Sequence, residues 1–529
     1  MVRSKQTRTT GGAESKLLRK LGNNEVYQLA MYLLDQYRGT SVSGRYSIPA
    51  RLLGSGPESR NGLVRAVETA IVDTVLKHPI LQVAIADAQS KSPNWVQLET
   101  IDLRQHVTWH FKDAELDASI DNVLQEVLTN EVDATFPELD TRPGWRIVVI
   151  HFQPTNVVEI VFTWNHPHCD GMSGKIFHTD LLRSLNSVGK DAEIDADDRS
   201  TIKLPDSAPV LPPPIEDICK LPLTIPFIIK ALWGEYGPTT FRPALARWAP
   251  IASPYKTQVR AFTVEAEPLG RILLACRQHK TTLTGLLHAL TLTSLASQLT
   301  EEAAPALASG TTIDMRRYIG PDLPAHPGLK PERTMANFVT LMTHEFERGL
   351  VSQIRSLLSH PAAEGTDKPA AASISPELAD LVWSAAARVR GEIGGRVEAG
   401  LRNDMVGVMK FVGDWQQEMA RMASRPRLHS WWVSGIGVLD GGLSKEDGPS
   451  SGDNAPSPPA ASGDDDAWAI RRAQFALSTE TTAAAINISP LTVAGERLCV
   501  GGSWQDCLFD VSLGERVMAD LEAWLGQLA

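Results

Sequence analysis

Val161-Phe162-Thr163-Trp164-Asn165-His166-Pro167-His168-Cys169-Asp170-Gly171-Met172-Ser173-Gly174 is the stretch on which the reading of this chain turns. It begins inside a β-rich run, Val157 to Trp164, predicted to form a hairpin with Trp145 to Phe152 across Pro154-Thr155-Asn156. It ends on a predicted helix, Gly174 to about Leu185, which Ser173 is placed to cap. Between strand and helix stand a histidine, three residues, an aspartate and a glycine. His-x-x-x-Asp alone is weak, and a chain with 13 histidines yields about one by chance. Here only His166 has an aspartate four residues on; glycine follows that aspartate, and the string joins a strand to a helix.

The spacing has a chemical rationale. A histidine at the end of a rigid strand has a fixed Cα and an exposed ring, and its pKa near neutrality suits it to take a proton from an alcohol or amine. Asp170 can turn away from that ring and anchor the loop on an arginine from elsewhere, while Gly171 removes side-chain bulk beside the base. No strand-to-helix serine elbow accompanies this histidine, so a substrate hydroxyl is a suitable target.

Working outward, the chain has 529 residues, a prior of three or four domains at about 150 residues each. Before residue 190 helices and strands mix. Asn24 to Tyr37 carries Val26, Leu29, Ala30, Leu33 and Leu34 on one helical stripe, and Gly62 to His78 reads as a helix ended by Pro79. Later, Val259 to Val264 reads as a strand, Pro268 to Gln298 as two helices meeting near Thr281-Thr282, and Ala473 to Leu477 and Ile486 to Val500 as strands. A final helix opens on Ser512-Leu513-Gly514-Glu515, a capping-box pattern. The organisation expected is an N-terminal arm over 1–15, a lobe over 16–190, a Pro-rich connector over 191–214 and a second lobe over 215–529. Flexible insertions are expected at 362–375 and 444–466.

Composition removes several classes of function. Lys and Arg total 51 against 62 Asp and Glu, a net charge of −11 that disfavours nucleic acid as a partner. The five cysteines are scattered with no Cys-x-x-Cys pair, which points to reduced thiols and a cytoplasmic location rather than a disulfide or zinc framework. No apolar run reaches the roughly 18 residues of a membrane span.

Several residues near the site have plainer readings. His168 is expected to be structural. A His166/His168 metal pair lacks a third ligand, so no metal is expected. Cys169 has no base partner and reads as a buried thiol, and His178 and His288 read as packed helix residues. The apolar segment Ile215 to Gly234 is expected to dock between the lobes; its alternative is peripheral association with a lipid surface.

The string His166 to Gly171 resembles the His-x-x-x-Asp-Gly motif of the CoA-dependent acyltransferase superfamily, which includes chloramphenicol acetyltransferases, plant BAHD acyltransferases and peptide-synthetase condensation domains. Fungal alcohol O-acetyltransferases are the best match. Supporting segments are Leu21-Gly22…Glu25-Val26-Tyr27, His78-Pro79-Ile80-Leu81, Arg142-Pro143-Gly144-Trp145-Arg146 and Cys276 to Thr284. Asp314-Met315-Arg316-Arg317-Tyr318 and Gly502-Ser503-Trp504-Gln505 complete the set, in an order covering most of the chain.

That resemblance implies an α/β fold of two chloramphenicol acetyltransferase-like lobes, each a mixed sheet with flanking helices, with the active-site channel between them. It implies an acyl-CoA-dependent O-acyltransferase, most simply an O-acetyltransferase of secondary metabolism acting on a small, apolar alcohol. His166 is then the general base for direct attack, and Asp170 is structural, paired with Arg316, or with Arg317 behind it. Acetyl-CoA is a co-substrate, no cofactor is tightly bound, and the chain is expected to be a monomer. The plant Asp-Phe-Gly-Trp-Gly string is absent; its counterpart, Ser434-Gly435-Ile436-Gly437-Val438, resembles the fungal Ser-Asn-x-Gly strand without its asparagine. Ser434 is nominated there for the oxyanion or CoA side. Asn165 stands where condensation domains carry a second histidine. The alternatives are an enzyme using a carrier-protein-bound acyl donor and a catalytically silent binding protein.

Overall fold

The computed structural model describes residues 16–528 except 55, 114–116, 188–199, 238–245, 247, 249–253, 321–322, 359–372, 426, 428, 443–466 and 480–482. The expected arm at 1–15, the first part of the connector and nearly all of both insertions lie outside the described residues.

Two mixed sheets organise the chain. The first runs in the order Ala469–Leu477, Thr40–Ser47, Val157–Trp164, Trp145–Gln153, Val107–Asp113, antiparallel except for the last pair. Strand alternation divides its side chains between two faces. Ile147, Val149, Val158, Ile160 and Phe162 meet the helices Pro57–Lys77 and Gly171–Ser187, whereas Val148, Ile150, Phe152 and Val161 meet Ile120, Leu124, Leu128 and Val132 of Asp117–Asp133. With both faces covered, these strands read as nearly continuous apolar runs.

The second sheet runs Thr257–Val264, Leu498–Gln505, Ala484–Val493, His429–Val433, Leu307–Asp314, Val339–Phe346, with Gly437–Leu439 paired onto Ala484–Val493. Over it lies the helix Leu283–Gln298, buried from Gly285 to Ala296 because Arg348–Leu358, Pro376–Glu398 and Val511–Gln527 pack around it. A helix apolar on every side is stable in water only when enclosed in this way.

The sheets do not divide at the connector. Ala469–Leu477 comes from the far half of the chain, yet pairs with Thr40–Ser47 and completes the first sheet. Ile436, Leu439, Leu491 and Val493 likewise pack into the first core. The expected strand from Ile486 to Val500 is two strands, Ala484–Val493 and Leu498–Gln505, turned at Gly495, whose φ is 73°. Both flanks are apolar, so alternation alone gave no break.

The apolar segment after the connector also divides. Ile215–Ile218 docks as expected: Ile215 and Cys219 join Met315, Ala336 and Phe338 in a small core, and Glu216 accepts the Asn23 N–H at 2.7 Å. The helix Ile225–Tyr236 docks only in part: Tyr236 donates to Glu418 at 3.3 Å and lies under Arg421, while Ile225 is 74%, Ile229 61%, Leu232 42% and Trp233 60% exposed. Pro226 sits at its N-terminus, where a missing N–H costs nothing, so it begins the helix rather than breaking it. Among the described residues no helix is long and apolar enough to cross a membrane.

Candidate active site

Val157–Trp164 lies inside the first sheet, with Trp164 opposite Thr40 on one side and Trp145 on the other. Hydrogen bonding on both edges fixes the point where the loop leaves. The loop then closes on itself: Asn165 N donates to Gly144 O (2.8 Å), His168 N to Asn165 O (3.0 Å), and the Trp164 indole to Cys169 O (2.7 Å). His168 is buried, accepts from Gly144 N at 3.1 Å and meets Trp95 edge-on at 4.7 Å. Burial pushes its pKa down to about 3, so it stays neutral as a structural acceptor. Gly144 is required for this approach, since a Cβ there would lie 2.8 Å from the His168 ring.

His166 is only partly buried, its ring 5.4 Å from that of Tyr37. Burial lowers its pKa below the usual imidazole value; the Asp170 charge and a hydrogen bond to the residue's own backbone carbonyl oppose that without reversing it. The neutral form, the one able to accept a proton, therefore predominates at neutral pH.

Asp170 faces away from His166's ring into the other lobe. Arg316 donates to it twice, Nη1 to Oδ2 at 2.6 Å and Nη2 to Oδ1 at 3.1 Å. The Phe338 N–H adds a bond to Oδ2 (2.9 Å), and Ser173 donates to Oδ1 from both N and Oγ (2.9 Å each). Burial would raise this carboxyl's pKa, but the Arg316 charge and these hydrogen bonds outweigh it and hold the group below its usual range. Arg316 spends its remaining donors on Thr334 O, Ala336 O and Asp314. Arg317 is exposed and is not the partner.

Two local readings change. The helix begins at Gly171, three residues before the expected Gly174, and Asp170 rather than Ser173 caps it by accepting the Ser173 N–H. A carboxylate is the stronger acceptor for a helix N-terminus, and Ser173 becomes a second ligand of that carboxylate. Gly171 also serves a purpose other than clearing room at the base. A Cβ there would lie 2.8 Å from Ile436 and 3.1 Å from Phe475, so the glycine lets the helix start abut residues of the second half.

Ser434 follows His429–Val433 in the second sheet, two residues before Ile436. Its N–H donates to Ile488 O (2.9 Å), and its Oγ accepts from Asn487 Nδ2 at 3.2 Å, which leaves the hydroxyl proton to donate elsewhere. Cys169 is buried and its thiol pKa is pushed well up by burial, which suits packing and not nucleophilic attack. His178 bonds Tyr46 and the Val42 carbonyl, and His288 bonds Ser309 and Thr311; both are buried. Among the described residues no cluster of three or more His, Cys, Asp or Glu side chains could hold a metal ion. Sequence reasoning passed over Asn337 and Phe338, which meet this loop from a distant segment, and Asn24, which bonds Asn337; none carries motif spacing.

Comparison with known proteins agrees with this picture. Residues 95–324 match the alcohol acetyltransferase family profile. The chain is 25% identical to a probable alcohol acetyltransferase, FCK4, of Fusarium pseudograminearum, over 97% of this chain and 96% of the relative. It is 24% identical over 239 residues, 44% of the chain and 50% of the relative, to the probable alcohol acetyltransferase crmB of Aspergillus fumigatus. Among solved structures it superposes on the TRI3 trichothecene 15-O-acetyltransferase of Fusarium sporotrichioides with a TM-score of 0.64 at 13% identity, covering 99% and 97% of the two chains. The condensation domain of the Monacolin K polyketide synthase MokA gives 0.52 at 11% identity, with 97% of each chain covered. The fold is therefore that of the two-lobed condensation and chloramphenicol acetyltransferase-like acyltransferases, and by sequence the chain resembles alcohol acetyltransferases.

Proposed function

We propose that this chain is an acyl-CoA-dependent O-acyltransferase that moves an acetyl group from acetyl-CoA to a hydroxyl of a small, apolar alcohol of secondary metabolism. The observation that carries the reading is the loop itself. It presents a partly exposed, neutral His166 while its aspartate is committed to Arg316 in the other lobe.

In this reading the acceptor hydroxyl gives its proton to His166 as its oxygen attacks the thioester carbonyl. The tetrahedral intermediate carries one negative oxygen, toward which the Ser434 hydroxyl is the candidate donor. Collapse forms the ester and expels the CoA thiolate, which recovers the proton from the imidazolium, so protons and charge balance over the cycle. Asp170 holds the loop and takes no proton. No disulfide joins Cys169, Cys219, Cys276, Cys499 and Cys507, and the location proposed for the enzyme is cytoplasmic.

Incubating the purified protein with acetyl-CoA and a metabolite extract is expected to yield a product heavier by one acetyl group, read by mass spectrometry. Product from an acyl-loaded carrier protein alone would assign the donor to the carrier. No product from either would leave a silent binding protein.

The exposed face of Ile225–Tyr236 supports peripheral association of this enzyme with a lipid surface. Co-sedimentation with neutral phosphatidylcholine vesicles should fall several-fold in Trp233→Glu. Equal sedimentation of parent and variant would remove the helix from that role.

A further inference from the structure

The helix Gly171–Ser187 turns one face toward the segment that follows Ser434. Gly171 abuts Ile436, and a Cβ at Gly442 would lie 3.0 Å from Leu182. Ile436 and Leu439 pack with Ile176 and Leu182 in the first core. Residues 171, 175 and 182 share a helix face, so Lys175 falls between those contacts. Its Cα is one helical turn, about 5–6 Å, beyond Gly171 and hence close to the His166 loop. Gly435, Gly437 and Val438 are exposed, so the seam between helix and segment opens to solvent there.

An apolar side chain would be the ordinary choice in such a seam, and a lysine in it has to be satisfied. Lys175 is half-buried, yet among the described residues its ammonium makes neither a side-chain hydrogen bond nor an ion pair. Two acids act on it through space: burial lowers its pKa, and the charges of Asp314 and Asp440 oppose that. Both are committed elsewhere, Asp314 to Arg316 Nη1 at 3.0 Å and Asp440 to the Gly442 N–H at 3.0 Å. They favour the charged ammonium without claiming its hydrogens.

That combination selects the ligand. A phosphate would meet two carboxylates along with one cation, so the charge around Lys175 opposes it. A neutral carbonyl oxygen meets no such repulsion and can accept a charge-assisted hydrogen bond. Pantetheine, the arm that carries an acyl thioester, has amide carbonyls a few bonds behind the sulfur, whereas the phosphates of CoA lie at the far end of the arm. With the thioester carbon between His166 and Ser434, this seam begins where the sulfur leaves.

We propose that Lys175 binds the acyl donor: its ammonium donates to an amide carbonyl of the pantetheine arm and holds the donor at the His166 loop. The proposal rests on the reading of the chain as an acyltransferase fed by a thioester. The arm is the same whether CoA or a carrier protein presents it.

Isothermal titration of the full-length protein with CoA and with pantetheine, which has no phosphate, tests the contact apart from turnover. Lys175→Met keeps the apolar stem and removes the charge. It is expected to weaken both ligands about 10- to 100-fold, the usual effect of losing a hydrogen bond to a charged group. KM for acetyl-CoA with the metabolite extract should rise by a similar factor while kcat stays within about twofold. If Lys175→Met does not fold, Lys175→Gln, which keeps a neutral donor, takes its place with a smaller loss for both ligands. Equal affinities in parent and folded variant overturn the proposal and leave the acyltransferase reading standing. A loss confined to CoA also overturns it, because Lys175 would then contact a phosphate. A parent that binds neither ligand ends the proposal and the thioester reading together. Binding of both ligands that the variant weakens, without acetyl transfer, keeps the contact and removes the transferase reading.

Discussion

His166→Ala is expected to reduce turnover by about 10²- to 10⁴-fold, the usual contribution of a positioned general base, with little change in thermal stability. The asymmetry follows from where the ring sits. His166 is partly exposed and its backbone carbonyl stays bonded to Asn337 when the ring is removed, so truncation loses the chemistry, one 3.3 Å bond to Asn337 and the edge contact with Tyr37, but leaves the loop anchored. The pH profile gives an independent check. A base works only when deprotonated, so activity should fall as pH drops through the His166 pKa. Because burial lowers that pKa, the plateau should extend to below the ordinary imidazole value near 6.5 before the acidic limb begins. Full activity in His166→Ala would end the mechanism. An acidic limb centred well above 6.5 would assign the titration to another group.

Breaking the Asp170–Arg316 pair should have the larger effect on the fold. Both side chains are 4% exposed, and removing one partner from such a pair costs about 3–5 kcal/mol because the other is left charged and buried. Asp170→Asn is close in shape, so its cost isolates charge from volume, whereas Arg316→Ala also removes the bonds to Thr334 O and Ala336 O. Each should lower the midpoint of urea unfolding and, by loosening the loop, reduce turnover as well. The parent should show the matching pH dependence. The folded-state pKa of Asp170 is depressed, so the pair's stabilisation is fully present above the ordinary carboxylate value and is lost as pH falls through the lower, folded value. If either variant unfolds at the parent's urea concentration, the pair does not secure the lobes.

The two predictions differ in how much of their basis is visible in a linear chain. His166, Asp170 and Gly171 fall within six residues and lie between two strong periodic signals, so the loop could be picked out directly. Arg316 came from the resemblance and from its neighbours in Asp314 to Tyr318; the charge pair itself spans 146 residues. Asn337 had no such advantage. A lone asparagine has no spacing to recognise, and its partner Asn24 is 313 residues distant. Helix starts show another limit. At Ser173 and again at Ser512 the serine is a plausible cap, yet the preceding aspartate, Asp170 or Asp510, accepts the serine's N–H instead. Sequence names both candidates, and only geometry shows which oxygen reaches the helix end. Of the strand Ala469–Leu477 only Ala473 to Leu477 was legible, because Arg471 and Arg472 read as polar surface, whereas Arg472 and Gln474 are buried, Arg472 against Asp121, and nothing in their order tells which sheet the strand joins.

That strand bears on how the protein is made. Thr40–Ser47 leaves the ribosome long before its partner strand, and its outer edge is covered only when residues 469–477 have been synthesised. Until then the nascent sheet offers a row of unpaired backbone groups, the kind of edge that pairs with the wrong neighbour. The histidine loop sits at the end of the next strand over. A gene fragment ending at the Pro-rich connector would therefore cut through a sheet instead of between two bodies. Residues 166–171 are thus synthesised before Arg316 and Asn337, which brace their loop, and before residues 469–477, which complete their sheet.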